Sequence, residues 1–239
     1  MSEFSGKLAV ATIARGHDER ERVMVLRTMC NLAELDVPVF VGLGMPYGFD
    51  AEIRAIGPQF TVFRCAQFAF QFRSAFRAAA QAHQTVLYLE GDKDYFTSRL
   101  IEFLRQAFAT ITREGIESLL LFGRSASAMA TFPEHQQRTE MAVNLAIQGL
   151  TGQELEMIYG PKLFLNGIAA HINDAPTDLT GWQPLLWLVG AAFRIGGRIG
   201  QVTSDEFVCS ERQRQETSPV YRMAQFRDNV VGFCRGYGI

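Results

Sequence analysis

Apolar residues gather in short runs through the first half of the chain, and between the runs they recur every three or four positions. Residues 8–13 form a run rich in β-formers and predict a strand. The polar loop 14–18 follows, with Asp18 placed to cap a helix over 19–35, where Val23, Leu26, Met29, Cys30 and Leu32 fall at helical spacing. Residues 37–41 predict the next strand. It is left by a glycine-rich loop, 42–48, that either hugs a ligand or turns tightly, with Gly44 as the candidate for contact. A short strand near 60–63 precedes a helix over 68–83 that carries Phe72, Ala75, Phe76 and Ala79 on one face. Residues 85–89 predict a strand, 98–113 an amphipathic helix and 118–122 a further strand. Strands alternating with helices argue for βαβ units and a mostly parallel sheet, which binds ligands beyond the carboxyl ends of its strands. The loops 14–18, 42–48 and 90–94 therefore belong on one edge.

The second half is less regular. A helix is expected over 134–150, entered through Phe132-Pro133, and Gly160-Pro161 interrupts the apolar stretch 158–165. An apolar helix follows over 182–195, then a returning strand over 198–203 and an amphipathic C-terminal helix over 218–234. The run 184–193, closed by Arg194, is about half as long as a membrane span requires and predicts a buried core helix. Residues 1–7 lack a basic stretch followed by an apolar core, so no secretory signal is expected and a cytoplasmic location is.

Composition narrows the class only modestly. The 239 residues are 48% hydrophobic and 20% charged, enough for one large α/β domain. A net charge of −2 supplies no general attraction to nucleic acid or anionic lipid. Cys30, Cys65, Cys209 and Cys234 form neither a CxxC pair nor a Cys/His cluster, which argues against zinc and fits a reducing compartment, with two disulfides left open.

Candidate chemistry concentrates after the strand at 85–89, where Glu90, Asp92 and Asp94 alternate with Gly91 and Lys93. Carboxylates at the end of a buried strand are well placed for a hard divalent cation, which prefers oxygen ligands. The plain alternative is an acidic loop capping the next helix. Lys93 either touches phosphate or balances the acidic cluster.

In element order, over about residues 7–205, the chain resembles the GT-A fold nucleotide-sugar glycosyltransferases, in particular the large family that includes dolichyl-phosphate mannosyltransferase and bacterial relatives. Leu87-Tyr88-Leu89-Glu90-Gly91-Asp92 is similar to that family's Asp-x-Asp strand end, with Glu replacing the first Asp; Asp92-Lys93-Asp94 is a shifted match. Gly123-Arg124-Ser125 looks like its Gly-Ser-Arg with two residues exchanged, and 158–164 looks like the apolar motif before its acceptor-side helices.

The resemblance implies a single Rossmann-like α/β domain over 1–239, with a nucleotide-sugar half to about 125 and an acceptor half from about 126. It implies a nucleoside-diphosphate sugar donor and Mn²⁺ or Mg²⁺ on Glu90, Asp92 and Asp94, with His171 as a further ligand. Donor contacts would come from Thr12, Arg15, Asp18, Asp92 and Arg124, and acceptor contacts from Tyr159, Trp182 and Gln183. Arg15 and Asp18 read equally as a solvated turn and an N-cap, and Trp182 equally as core. The acceptor would be a small molecule, a glycan or a lipid-linked group.

One departure matters. Inverting members carry an acidic base near the start of the late buried helix, where this chain has Thr180-Gly181-Trp182-Gln183. Asp178 reaches in as base, or the acceptor arrives ionised and needs none, or the reaction retains configuration. His17 lies in a predicted ligand loop, and the segment 211–222, with Arg212, Arg214 and Arg222, reads as a lid or as a charged surface loop. The phenylalanines of 68–72 read as core or as an apolar lip touching a membrane-borne acceptor.

Two other functions compete. A non-catalytic nucleotide or carbohydrate binder on the same fold would explain the missing base. An NADP-dependent oxidoreductase would use Gly42-x-Gly44-x-x-x-Gly48, with Arg64 at a 2′-phosphate, although this spacing is not the dinucleotide fingerprint.

Overall fold

Seven strands form one sheet in the order β3-β2-β1-β4-β6-β5-β7 in the computed structural model, which describes residues 3–15, 18–44, 48–209 and 218–239. The strands are β1 (Ala9–Ala14), β2 (Val39–Leu43), β3 (Phe60–Arg64), β4 (Val86–Glu90), β5 (Leu119–Arg124), β6 (Lys162–Phe164) and β7 (Ile199–Ser204). The short β6 runs antiparallel to β4 and β5, and every other pair is parallel. The expected mostly parallel α/β sheet is therefore present.

Strand alternation sorts the core onto two faces. Val10, Leu87, Leu89, Leu120 and Phe122 face one layer, built from α1 (Glu19–Ala33), α2 (Phe49–Ile56), the single turn α4 (Asp94–Thr97) and α5 (Leu100–Glu114). Ala9, Ala11, Tyr88, Leu119 and Leu121 face the other. That layer holds α3 (Phe68–Ala82), α7 (Glu134–Thr151), a 3-10 helix (Ile168–Asn173), α8 (Gln183–Ile195) and α9 (Pro219–Tyr237); the short α6 (Ala126–Met129) follows β5. Helix α8 is buried along most of its length, as its run of apolar residues predicts. Its backbone meets that of α9 closely, because side chains at Gly232 and Gly236 would strike the carbonyls of Gln183 and Trp187. No helix among the described residues is long and apolar enough to cross a membrane, and none of the four cysteines forms a disulfide.

Five short elements, α2, α4, α6, β6 and the 3-10 helix, are absent from the sequence reading, and two of them show why. Helix α2 lies in a stretch, 49–59, to which the sequence reading assigns no element; only Phe49 and Ile53 are buried on it, a single i, i+4 pair that gives a weak periodic signal. The other is β6, three residues long, which has too little length to show alternation. The glycine-rich loop also has a local explanation. A side chain at Gly42 would collide with the Gln71 backbone, and one at Gly44 with the Gln71 amide, so these glycines let α3 press against the end of β2. Residues 45–47 of that loop lie outside the described residues.

Candidate functional site

The carboxyl ends of β1, β4 and β5 open onto a cavity of about 490 Å³. One wall is the loop after β4. Gly91 N–H donates to the Ile13 carbonyl (2.7 Å), carrying the β1–β4 ladder one step past the strand, and Lys93 N–H turns back to the Glu90 carbonyl (3.3 Å). That turn brings the Lys93 ammonium between two carboxylates, 3.4 Å from Asp92 Oδ1 and 3.8 Å from Glu90 Oε2.

Glu90 is held from several sides. It shares a strand face with Tyr88, whose hydroxyl donates to Glu90 Oε1 (3.3 Å) from the aromatic packing with Phe72 and Phe76. Its carboxylate lies against Gly160, where a side chain would overlap it. Lys162 pairs in register with Tyr88 and is fully buried; its ammonium donates to the carbonyls of Tyr159 (2.6 Å) and Gly160 (3.2 Å). Burial pulls the Lys162 pKa down to about 8, with Glu90 and Glu156 opposing the fall. Burial, reinforced by Asp92, raises the Glu90 carboxyl, while Lys93 and Lys162 work against that rise. The Lys93 pKa is raised: burial lowers it, and Asp92 and Glu90 together outweigh the burial.

The opposite wall is a buried ion network that crosses four segments. From the end of β5, Arg124 sends its Nε to Glu156 Oε1 (2.9 Å) and its Nη2 to both Glu156 and Glu140. The backbone N–H of Arg124 also donates to Glu156. Gln136 Nε2 donates to Glu140 Oε1 (2.8 Å), and Arg222 from α9 donates to Gln136 (2.9 Å) and Gln225 (2.8 Å). Burial opposes the charge on Arg124, but Glu140 and Glu156 outweigh it and its pKa stays above the ordinary arginine value. The Tyr159 ring stands between the walls, with the Lys93 ammonium 5.7 Å and the Arg124 guanidinium 5.1 Å from its centroid. Arg15 spreads over the Phe68 ring (4.5 Å), which in turn meets Trp182 (4.6 Å), so the mouth is aromatic and cationic.

The expected site residues divide into two groups. Arg15, Glu90, Asp92, Arg124, Tyr159 and Trp182 all line the cavity. The other seven do not. Thr12 is buried within β1. Asp18 caps α1, accepting from Glu21 N–H (2.9 Å), and Gly44 packs on Gln71. Asp94 heads α4 and accepts from Tyr95 N–H (3.0 Å). His171 pairs with Asp174 (2.9 Å) on the exposed side of the 3-10 helix. Asp178 is exposed and grips Arg235 with both oxygens (2.9 and 3.1 Å); that hydrogen-bonded partner holds its carboxyl below the usual range, which weakens it as a base. Gln183 is engaged by Asp228 and Thr180. Arg222 is itself buried in the otherwise exposed first turn of α9, while Phe68 and Phe72 are core and only Phe70 is largely exposed. Arg64 is paired with Asp50. His17 and the segment 210–217, with Arg212 and Arg214, lie outside the described residues.

The acidic loop does not fit a divalent cation as it stands. An ion such as Mg²⁺ needs oxygens at about 2.0–2.1 Å, and the Lys93 ammonium occupies the space between the two carboxylates. Asp94 and His171 point elsewhere, and no group of three or more metal-ligating side chains comes together among the described residues.

Sequence reasoning missed Gln136, Glu140 and Glu156. A signal existed for two of them: Gln136 and Glu140 fall in the same helical stripe as Val143 and Ile147, so their polar groups had to point inward.

No family model matches the sequence, and no curated protein matches it in sequence. Solved structures do match in fold. Glucosyl-3-phosphoglycerate synthase from Mycobacterium tuberculosis, solved with Mn²⁺, UDP and phosphoglyceric acid, superposes with a TM-score of 0.65 at 13% identity, covering 98% of this chain and 80% of that one. The same enzyme with Mn²⁺, UDP-glucose and phosphoglyceric acid gives 0.64 at 15% identity, over 98% and 81%. A structure described as a mycobacterial protein gives 0.62 at 16% identity, over 98% and 76%. At these identities the likeness establishes the fold, which is that of the GT-A glycosyltransferases.

Proposed function

We propose that the chain transfers a sugar from a nucleoside-diphosphate sugar to a small acceptor, with the donor half reaching to about residue 125 and the acceptor half beyond it. The observation that carries this reading is the cavity at the carboxyl edge of β1, β4 and β5, with cations on its walls and aromatic rings at its mouth, in a fold shared with enzymes solved holding UDP and UDP-glucose.

The chemistry follows from the charges. Breaking a glycosidic bond to a diphosphate leaves negative charge on the leaving oxygen, so catalysis gains most from fixed positive groups near it. Arg15, directly after β1, and Lys93, in the loop after β4, are the cations placed to meet a diphosphate in such a cleft. Arg124 is bonded to carboxylates and Arg222 to amide side chains, and they shape the far wall. Trp182, half-buried at the mouth beside Phe68, offers a ring to the sugar or the acceptor. Glu140 accepts from Gln136 and Arg124, and Glu90 lies beside the Lys93 ammonium and the Tyr88 hydroxyl. An acceptor oxygen that arrives ionised, as in a phosphate or carboxylate, needs no base and suits this arrangement. No step in this account passes through a metal ion; in the neighbours' structures Mn²⁺ accompanies the nucleotide, and such an ion supplies positive charge to the phosphates.

A panel of UDP-, GDP-, ADP- and dTDP-sugars with phosphorylated and carboxylated acceptors tests the reading. Release of free nucleoside diphosphate together with a glycosylated product is the expected result. Binding of a nucleotide-sugar without turnover on any acceptor would favour the non-catalytic binder.

A further inference from the structure

We propose that the Lys93 ammonium, seated between Glu90 and Asp92 on the cleft wall, is the cation that receives the donor diphosphate, so that donor binding requires no divalent metal. The inference rests on the glycosyltransferase reading and adds to it the identity of the charge-bearing group.

Geometry carries the argument. Lys93 lines the cavity, and its side chain is only 11% exposed. Its separations of 3.4 and 3.8 Å from the two carboxylates are longer than hydrogen bonds, which lie at about 2.7–3.2 Å. The acids therefore hold the ammonium in place by charge and leave its N–H donors unspent. An ammonium with unspent donors, facing a cavity from a largely desolvated wall, is suited to phosphate oxygens, which lysine meets as a point charge.

The surroundings support the same balance. Among the described residues, four cationic side chains line the cleft, Arg15, Lys93, Arg124 and Arg222, against three carboxylates, Glu90, Asp92 and Glu140. That excess favours an anion without an added ion. A divalent cation at coordination distance from Glu90 and Asp92 would have to expel the ammonium first. The Tyr88 hydroxyl, 3.3 Å from Glu90 Oε1, and the close approach of Gly160 crowd the Glu90 carboxylate on its other sides.

The test is titration calorimetry of UDP, GDP, ADP and dTDP against the full chain, once in EDTA and once in Mn²⁺, with Lys93→Ala and the stem-preserving Lys93→Met alongside. The wild type should bind its preferred nucleotide equally well in both buffers. Both variants, confirmed folded by their melting transitions, should bind about tenfold or more weakly in EDTA. Lys93→Ala should recover affinity in Mn²⁺, because the ammonium no longer stands between Glu90 and Asp92 where the ion would sit, and Mn²⁺ electron paramagnetic resonance should report an ion bound by this variant and not by the wild type. Nucleotide binding by the wild type only in Mn²⁺ would overturn the inference and leave the glycosyltransferase reading standing. Unchanged affinity of Lys93→Met in EDTA would also overturn it. If no nucleotide binds in either buffer, both readings fall.

Discussion

The two walls of the cleft are both built from buried ion pairs, yet they differ in how those pairs are made. The Arg124 wall is short-range and saturated at its two carboxylates: Glu140 and Glu156 are bonded to the Arg124 guanidinium, and Arg222 is bonded to Gln136 and Gln225. The Lys93 wall is looser, with its ammonium beyond hydrogen-bond distance from both acids. A saturated network resists change and orders α7, β5 and α9 around the cavity. A loosely held charge can exchange its partners for a ligand. Ion pairing alone therefore does not mark a functional group; unspent hydrogen-bonding capacity does.

Breaking the saturated wall should have the largest effect. Arg124→Met leaves Glu140 and Glu156 buried without their main partner and should lower unfolding stability by about 3–5 kcal/mol. Adding Glu156→Gln should recover part of that loss, since an uncharged partner tolerates burial better. Denaturant titration of the single and double variants checks both statements; equal stability of the single variant and the wild type would remove the distinction between the walls.

Lys162 sharpens the comparison through pH. Its pKa falls from 10.5 unfolded to about 8 folded. Between those values the unfolded state binds more protons, so stability should rise with pH across the window, and the cost of the buried charge is fully present below pH 8. The rise should be on the order of 3 kcal/mol. Lys162→Met should flatten it, and a wild-type profile that falls across the window would contradict the assignment.

Asp178→Asn should have the smallest effect. The residue lies outside the cleft and pairs with Arg235 at the surface. Melting temperature and turnover should match the wild type, and a large loss of turnover would return Asp178 to the reaction.

Much of the fold was legible because its signals are local. The buried helix α8 announces itself by a continuous apolar run, α3 by Phe72 and Phe76 at helical spacing, and Asp18 by its position ahead of α1. The Lys93 wall was legible for the same reason, since Glu90, Asp92 and Lys93 are sequence neighbours. The Arg124 wall joins residues 124, 136, 140, 156 and 222, and that convergence depends on chain return. Asp94 shows the converse limit. It sits in the right stretch of sequence, but the turn that begins α4 takes its carboxylate out of the cleft.

The central claim is that the cleft beside β4 grips a nucleoside diphosphate. A crystal structure of the full chain grown with UDP or GDP in EDTA tests it most directly. The account predicts diphosphate density against the Lys93 ammonium, with Glu90 and Asp92 still behind it. Nucleotide bound in another part of the molecule, with this cleft filled only by solvent, would contradict it.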